Sequence, residues 1–401
     1  MTGRAGRSAG WNLALATLAF TLCFAAWSLI SPFAKTFKAD LDLSYTEALS
    51  LTAVPVILGS LLRIPMGTLT DRYGGRAVFS LLLAFSALPA VLFGYADAYW
   101  ALIGVGFLLG VAGSSFAVGV PFVANWYAKR RQGLAVGLYG MGNVGTAVTF
   151  FSAPAIVDHW GRPALGWITG AVLLGGAALF ASSARDAPSR GKAADYATVL
   201  RAGWRLYRLA VFYFVTFGGF VALFLLLPTV LQDWFGFSKG EASARAAGFV
   251  IVATIARPVG GWLADRYGAY PLLVLAFAAV AVDAAVLAAL APTPRIVPIT
   301  IACLTLGGAL GVGNGAVFKL VPLEFPRDAG AASGIVGAAG GLGGFFPPVF
   351  VGLVKDAEGT YTYGFVGLLV FTVLCLAGAV WLLRSAPKEE LRGGPHVGAE
   401  A

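Results

Sequence analysis

Between residues 11 and 384 the chain returns repeatedly to apolar runs separated by short polar breaks, and this recurrence limits the fold more than any other feature. A helix of about 20 apolar residues crosses ~30 Å of hydrocarbon. Reading the runs against the charged breaks gives twelve spans, at 11–34, 46–69, 77–96, 99–124, 133–157, 164–183, 207–231, 246–264, 270–290, 297–320, 330–353 and 364–384. Several contain Gly and Pro in numbers that would break a soluble helix, which membrane helices tolerate because neighbours satisfy the freed backbone groups. The expected class is an all-α integral membrane protein with twelve transmembrane helices. Composition agrees, since 58% of the residues are hydrophobic and only 12% charged, whereas soluble domains carry about a quarter charged. No soluble enzyme fits such a chain, and no sizeable soluble domain is left over.

Lysine and arginine sort the breaks into two sides. Arg4, Arg7, Arg72, Arg76, Lys129, Arg130 and Arg131 lie on the side of the amino terminus, as do the basic residues of 184–208 and those of the carboxyl end. The other side holds only Lys35, Lys38, Arg162, Lys239, Arg245, Arg295 and Lys355. By the positive-inside rule both termini are cytoplasmic, which demands an even number of crossings. The run from Trp11 to Ile30 is too long for the apolar core of a signal peptide and reads as the first membrane helix of a multi-pass cell (inner) membrane protein. The formal charge of +9 is scattered through short loops, not gathered in a groove with interleaved aromatics, so nucleic acid is excluded as a partner and the lipid bilayer is the expected one. Cys23, Cys303 and Cys375 lie in apolar runs without ligand spacing, so neither a metal nor a cofactor is expected.

The second span ends RIPMGTLTDRYGGR and the eighth ends RPVGGWLADRYGAY. Aligning them pairs Arg63 with Arg257, Gly67 with Gly261, Asp71 with Asp265, Arg72 with Arg266 and Gly74 with Gly268, each 194 residues apart. The same step pairs Gly140 with Gly334, Phe151 with Phe345 and Pro154 with Pro348. Chance does not hold one register over so many positions, so the chain is two homologous halves. The expected division is a bundle of six helices at 1–183, a polar cytoplasmic linker at 184–206, a second bundle at 207–386 and a disordered tail at 387–401.

The pattern of Gly67, Asp71, Arg72, Gly74 and Arg76 resembles the cytoplasmic loop signature of the major facilitator superfamily. The resemblance implies two pseudo-symmetric bundles that rock about a central cavity. These residues, with Gly261, Asp265 and Arg266 in the second half, are then gate elements and not substrate ligands. Helix rise gives the depth of the substrate site. Arg63 precedes Asp71 at the cytoplasmic surface by eight residues, or about 12 Å of helix, which places it near the bilayer midplane. The repeat puts Arg257 at the same depth. A guanidinium there costs at least ~2.5–3.5 kcal/mol unless it faces a polar cavity or an anion. Asp283 is the one acidic residue clearly inside a span and cannot neutralise both arginines and Lys319, so the missing counter-ion is expected to be cargo.

The stretches Ser114 to Thr146 and Gly313 to Phe346, together with TFGGF in the seventh span, are similar to the signatures of the nitrate/nitrite porter family. The resemblance implies a carrier of nitrate and nitrite. It implies that Arg63 and Arg257 bind the anion, that Phe116, Tyr213 and Phe217 bound it, and that Asn143 with Gly140, Gly142, Gly334 and Gly337 completes the site. Gly337 stands where some relatives have Ser, and Lys319 where some branches have Gln. The glycine-rich fifth and eleventh spans are expected to let backbones approach closely. Exchange of the two anions by a monomer is the expected mechanism. Nitrate/proton symport is the alternative, with Lys319 and Asp283 as coupling candidates, and an exporter of another small organic anion or a drug is a further one.

Overall fold

A computed structural model describes residues 2–187, 196–325 and 328–385. The expected tail at 387–401 and positions 188–195 of the expected linker lie outside the described residues. The described residues form α-helices joined by short turns. Ten helices are long and apolar enough to cross a membrane by length and composition, or eleven if the bent pair Tyr45–Leu61 and Arg63–Tyr73 is one span. The longest, Leu134–Ser183, is two crossings, because Gly161 at φ 80° reverses the chain inside it.

The spans are α1 (Ser8–Asp40), α2 (45–73), α3 (Gly75–Phe93), α4 (Tyr99–Ala124), α5 (134–160), α6 (162–183), α7 (Trp204–Phe235), α8 (Lys239–Tyr267), α9 (Ala269–Leu290), α10 (Ile296–Glu324), α11 (Gly330–Glu358) and α12 (Thr362–Ser385). Ahead of α7, a short helix at Tyr196–Arg201 occupies part of the stretch expected as linker.

The repeat governs local structure as well as sequence. Helices α2 and α8 each begin on a capping box, Ser44 with Glu47 and Ser238 with Glu241, which satisfies two backbone donors reciprocally. Each ends at a glycine with positive φ, Gly74 at 90° and Gly268 at 89°, a backbone conformation that Cβ-bearing residues avoid. Packing repeats too. In the first half α2 lies on α4 and α3 on α6; in the second, α8 lies on α10 and α9 on α12. Two seams join the halves, α2 against α11 and α5 against α8.

At the end remote from the chain termini the two halves are tied. Lys35 of α1 pairs with Asp233 of α7 at 2.6 Å, and Lys239 of α8 with Asp158 of α5 at 2.6 Å. Asp356 of α11 accepts from the Tyr45 and Thr46 amides at 2.8 Å each and from the Thr46 hydroxyl at 2.6 Å. These contacts join the two halves at that end.

Candidate anion site

The two arginines stand where proline disturbs their helices. Pro65 lacks the N–H that would bond Leu61, and α2 bends by 42° between Leu61 and Arg63. Pro258 likewise leaves the Thr254 carbonyl of α8 without its helical donor, although α8 runs on unbroken. Both side chains are almost fully buried, Arg63 at 1% and Arg257 at 4% exposure.

Each guanidinium reaches across a seam into the other half. Arg63, from the first half, donates from Nη1 to the Gly337 carbonyl of α11. A Cβ added to Gly341 would stand 3.5 Å from its Cζ. Arg257, from the second half, lies over Gly140 of α5, where an added Cβ would come within 3.2 Å of Nε. It also donates from Nη2 to the Tyr213 hydroxyl at 3.2 Å. Between them is a shared aromatic shell. The Phe116 centroid lies 5.8 Å from Arg63 Cζ and 5.0 Å from Arg257 Cζ, and the Phe217 centroid 5.0 Å and 5.9 Å from the same atoms. Tyr213 and Phe217 stack at 5.1 Å, aligned by the π-helical turn Phe214–Gly218 that follows Tyr213 on α7 and contains Phe217.

Neither arginine pairs with a carboxylate among the described residues, and Arg63 Nε and Arg257 Nη1 are buried donors without a partner. Ring quadrupoles attract a cation but do not neutralise it. Two forked, charged donors in an aromatic box can hydrogen-bond the oxygens of a small planar oxyanion.

The other residues singled out in the sequence divide. Phe116, Tyr213 and Phe217 line this box. Asn143 is buried on the same turn as Gly140, with Oδ1 unpartnered. Gly142 faces α1 instead, where any Cβ would overlap the Phe20 ring. Gly334 is buried in α11. Lys319 forms an ion pair with Asp265 at the end of α8, which directs its charge away from the arginines and neutralises it within its own half. Asp283 accepts from Thr305 of α10 at 2.9 Å and shares a partly exposed flank of α9 and α10, apart from the arginine pair.

The signature glycines act partly as expected and partly otherwise. Gly343 brings α11 against the α7 backbone, but Gly140, Gly340 and Gly341 seat side chains, those of Arg257, Tyr213 and Ser60 respectively. Gly261 faces open space, and it is Gly260 that lies against the α10 backbone. In the first half the motif turn is held from the start of the linker. Asp186 accepts from the Arg76 amide at 3.0 Å and fills the space that a Cβ on Gly74 would need, while Arg76 Nε donates to the Ala181 carbonyl at 2.7 Å. Arg72 lies over Tyr73 at 5.3 Å, and Arg266 over Trp262 and Tyr267 at 5.9 Å and 5.5 Å; Asp71 also has a partner, and Gly67 lies half-buried on α2.

Sequence reasoning missed Phe318, which stands 5.5 Å from Arg257 Cζ and edge-on to both Phe116 and Tyr213. It also missed Tyr139, which stacks on Phe20 and Phe116 and donates to the Ser115 carbonyl at 2.7 Å. Only their positions beside Lys319 and Gly140 hinted at them.

Comparison with known proteins agrees with this geometry. The profile described as Major Facilitator Superfamily matches residues 16–348 and also 209–398. The chain is 39% identical to the "Nitrite extrusion protein" of Bacillus subtilis (strain 168), over 92% of this chain and 94% of that one. It is 42% identical to the "Probable nitrate/nitrite transporter NarK2" of Mycobacterium tuberculosis (strain CDC 1551 / Oshkosh), over 90% and 93%. It is 37% identical to the "Probable nitrate transporter NarT" of Staphylococcus epidermidis (strain ATCC 35984 / DSM 28319 / BCRC 17069 / CCUG 31568 / BM 3577 / RP62A), over 92% and 96%. A solved bacterial homologue of the human lysosomal transporter Spinster, in an inward-facing and occupied conformation, shares the fold at a TM-score of 0.76 and 20% identity, over 97% of this chain and 99% of that one. The chain is thus a multi-span membrane protein of the major facilitator superfamily and, within it, of the nitrate/nitrite porter family.

Proposed function

We propose that this protein carries nitrate and nitrite across the cell membrane by alternating access, exchanging one anion for the other. The observation that carries the reading is the pair of buried arginines, one from each half, crossed over the seams with unpartnered donors and no carboxylate neighbour among the described residues. The names of the relatives supply the anion. Both arginines approach the same two rings, and two like charges ~10 Å apart repel by about 2 kcal/mol at an effective dielectric constant of ~20. An empty site therefore resists closure, and a bound anion relieves the repulsion and permits the rocking step.

The distribution of lysine and arginine supports cytoplasmic termini, so that the tied remote end faces outward and the structure is closed to the outside. Both seams and both arginines belong to one chain, which supports transport by a monomer. Proton symport needs a group that changes protonation during the cycle. Lys319 is engaged with Asp265 and Asp283 with Thr305, neither at the arginine pair, which favours exchange.

Proteoliposomes loaded with nitrite or left empty test the reading. Nitrate uptake should require internal nitrite. Equal uptake into empty vesicles, driven by an imposed proton gradient, would replace exchange with symport, and failure to carry either anion would remove the reading altogether.

A further inference from the structure

Hydroxyls within the helices of this protein commonly donate to the carbonyl four residues back, as Thr70 does to Met66, Thr17 to Leu13, Ser28 to Phe24 and Ser86 to Leu82. Ser60 and Thr254 do not. Their side chains are buried, at 1% and 3% exposure, and neither hydroxyl has a partner among the described residues. An unpaired buried hydroxyl forfeits its hydration without recompense, so it calls for an explanation.

The two positions are 194 residues apart, the same step that relates the arginines, and each stands three residues ahead of its arginine. Residues three apart leave a helix on one face, about 4.5 Å apart in height. Ser60 and Arg63 front the same glycine: a Cβ on Gly341 would overlap the Ser60 hydroxyl and stand 3.5 Å from Arg63 Cζ. Thr254 borders a crevice between α1, α5 and α8 that it shares with Thr17 and Thr21 of α1 and with Met141 and Val144, which belong to the turn of α5 whose Gly140 underlies Arg257. Several other buried polar atoms are unpartnered among the described residues, but only two sets are related by the repeat, the arginine donors and these two hydroxyls. An accidental orphan would not recur at the matching position of the other half.

We propose that Ser60 and Thr254 are a second pair of anion-binding residues, one hydroxyl from each half, serving the oxygen of a planar trioxyanion that the arginine forks leave exposed. They lie on the tied, remote side of the arginines, so the anion is held between two layers of donors. This rests on the nitrate/nitrite reading above and deepens it. Nitrite has one oxygen fewer, so the hydroxyls discriminate in favour of nitrate.

Full-length wild type, S60A, T254V and the conservative S60T and T254S are reconstituted, and KM and kcat are measured separately for nitrate and nitrite. S60A and T254V should each raise the nitrate KM about five- to tenfold, with kcat and the nitrite KM changed less than about twofold, as for a lost hydrogen bond to a charged ligand. S60T and T254S should stay near wild type. An unchanged nitrate KM in both S60A and T254V overturns the proposal. So does an equal change for both anions, or a fall in kcat alone, which would mark a packing role. Should S60A fail to fold, the comparison of T254V with T254S decides. Wild type that carries neither anion sinks the transport reading and this inference with it; wild-type transport with indifferent variants sinks this inference alone.

Discussion

Arg63 and Arg257 each combine three demands: a buried charge, a planar fork, and a seat on a glycine of the opposite half. Replacing either with Lys keeps the charge but loses the fork, so two parallel hydrogen bonds become one. Arg63→Lys and Arg257→Lys should raise the nitrate KM at least about tenfold, the equivalent of ~1.4 kcal/mol, in a proteoliposome assay; normal affinity in both would remove these residues from the site. The seats make a finer prediction. A methyl group on Gly140 comes within 3.2 Å of Arg257 Nε, so Gly140→Ala should weaken transport while leaving expression and thermal stability near wild type. Gly261→Ala, which meets open space, should leave transport unchanged in the same assay.

At the scale of elements, the repeat produces matched joints with unmatched reinforcement. Gly74 and Gly268 both hold φ near 90° with ψ near 145°, a region that costs other residues about 1–3 kcal/mol. Gly268→Ala should therefore lower the melting temperature of the purified protein modestly. Gly74→Ala should lower it further, because Asp186 occupies the space a methyl group would need. Equal shifts would mean that Asp186 does not brace the turn. The joints also show where the order of residues stops being informative. The matched positions of Asp71 and Asp265 invite the same role, yet Asp265 is claimed by Lys319, 54 residues further on, and no spacing rule connects the two. Asp186 lies in a stretch that reads only as linker.

For the whole molecule, the decisive feature is the set of ties between the halves at the end remote from the termini. The tie with the more exposed carboxylate, Lys239 with Asp158, is worth roughly 0–1 kcal/mol, so breaking it costs little. Gly352 sits so close to α2 that a Cβ would stand 2.7 Å from the Thr46 Cα. A side chain at this position must push the two backbones apart, so Gly352→Val should hinder closure of the α2–α11 seam and lower kcat in the proteoliposome assay. Unchanged transport would show that this seam does not pack so closely during the cycle.

The sequence by itself determined the class, the place of each residue along its helix and the doubling of the chain. A bilayer leaves helices as the natural spanning form for such runs and ties depth to position along each one. Helix rise and the repeat are therefore enough to put Arg63 and Arg257 near one level. Only the tertiary structure decided direction around each helix. It turned Gly140 toward Arg257 and Gly142 toward Phe20, brought Phe318 into the aromatic box, and sent Lys319 to Asp265. Azimuth is set by side-chain packing between helices distant in sequence, and in lipid that packing has no single apolar face to reveal it in the order of residues.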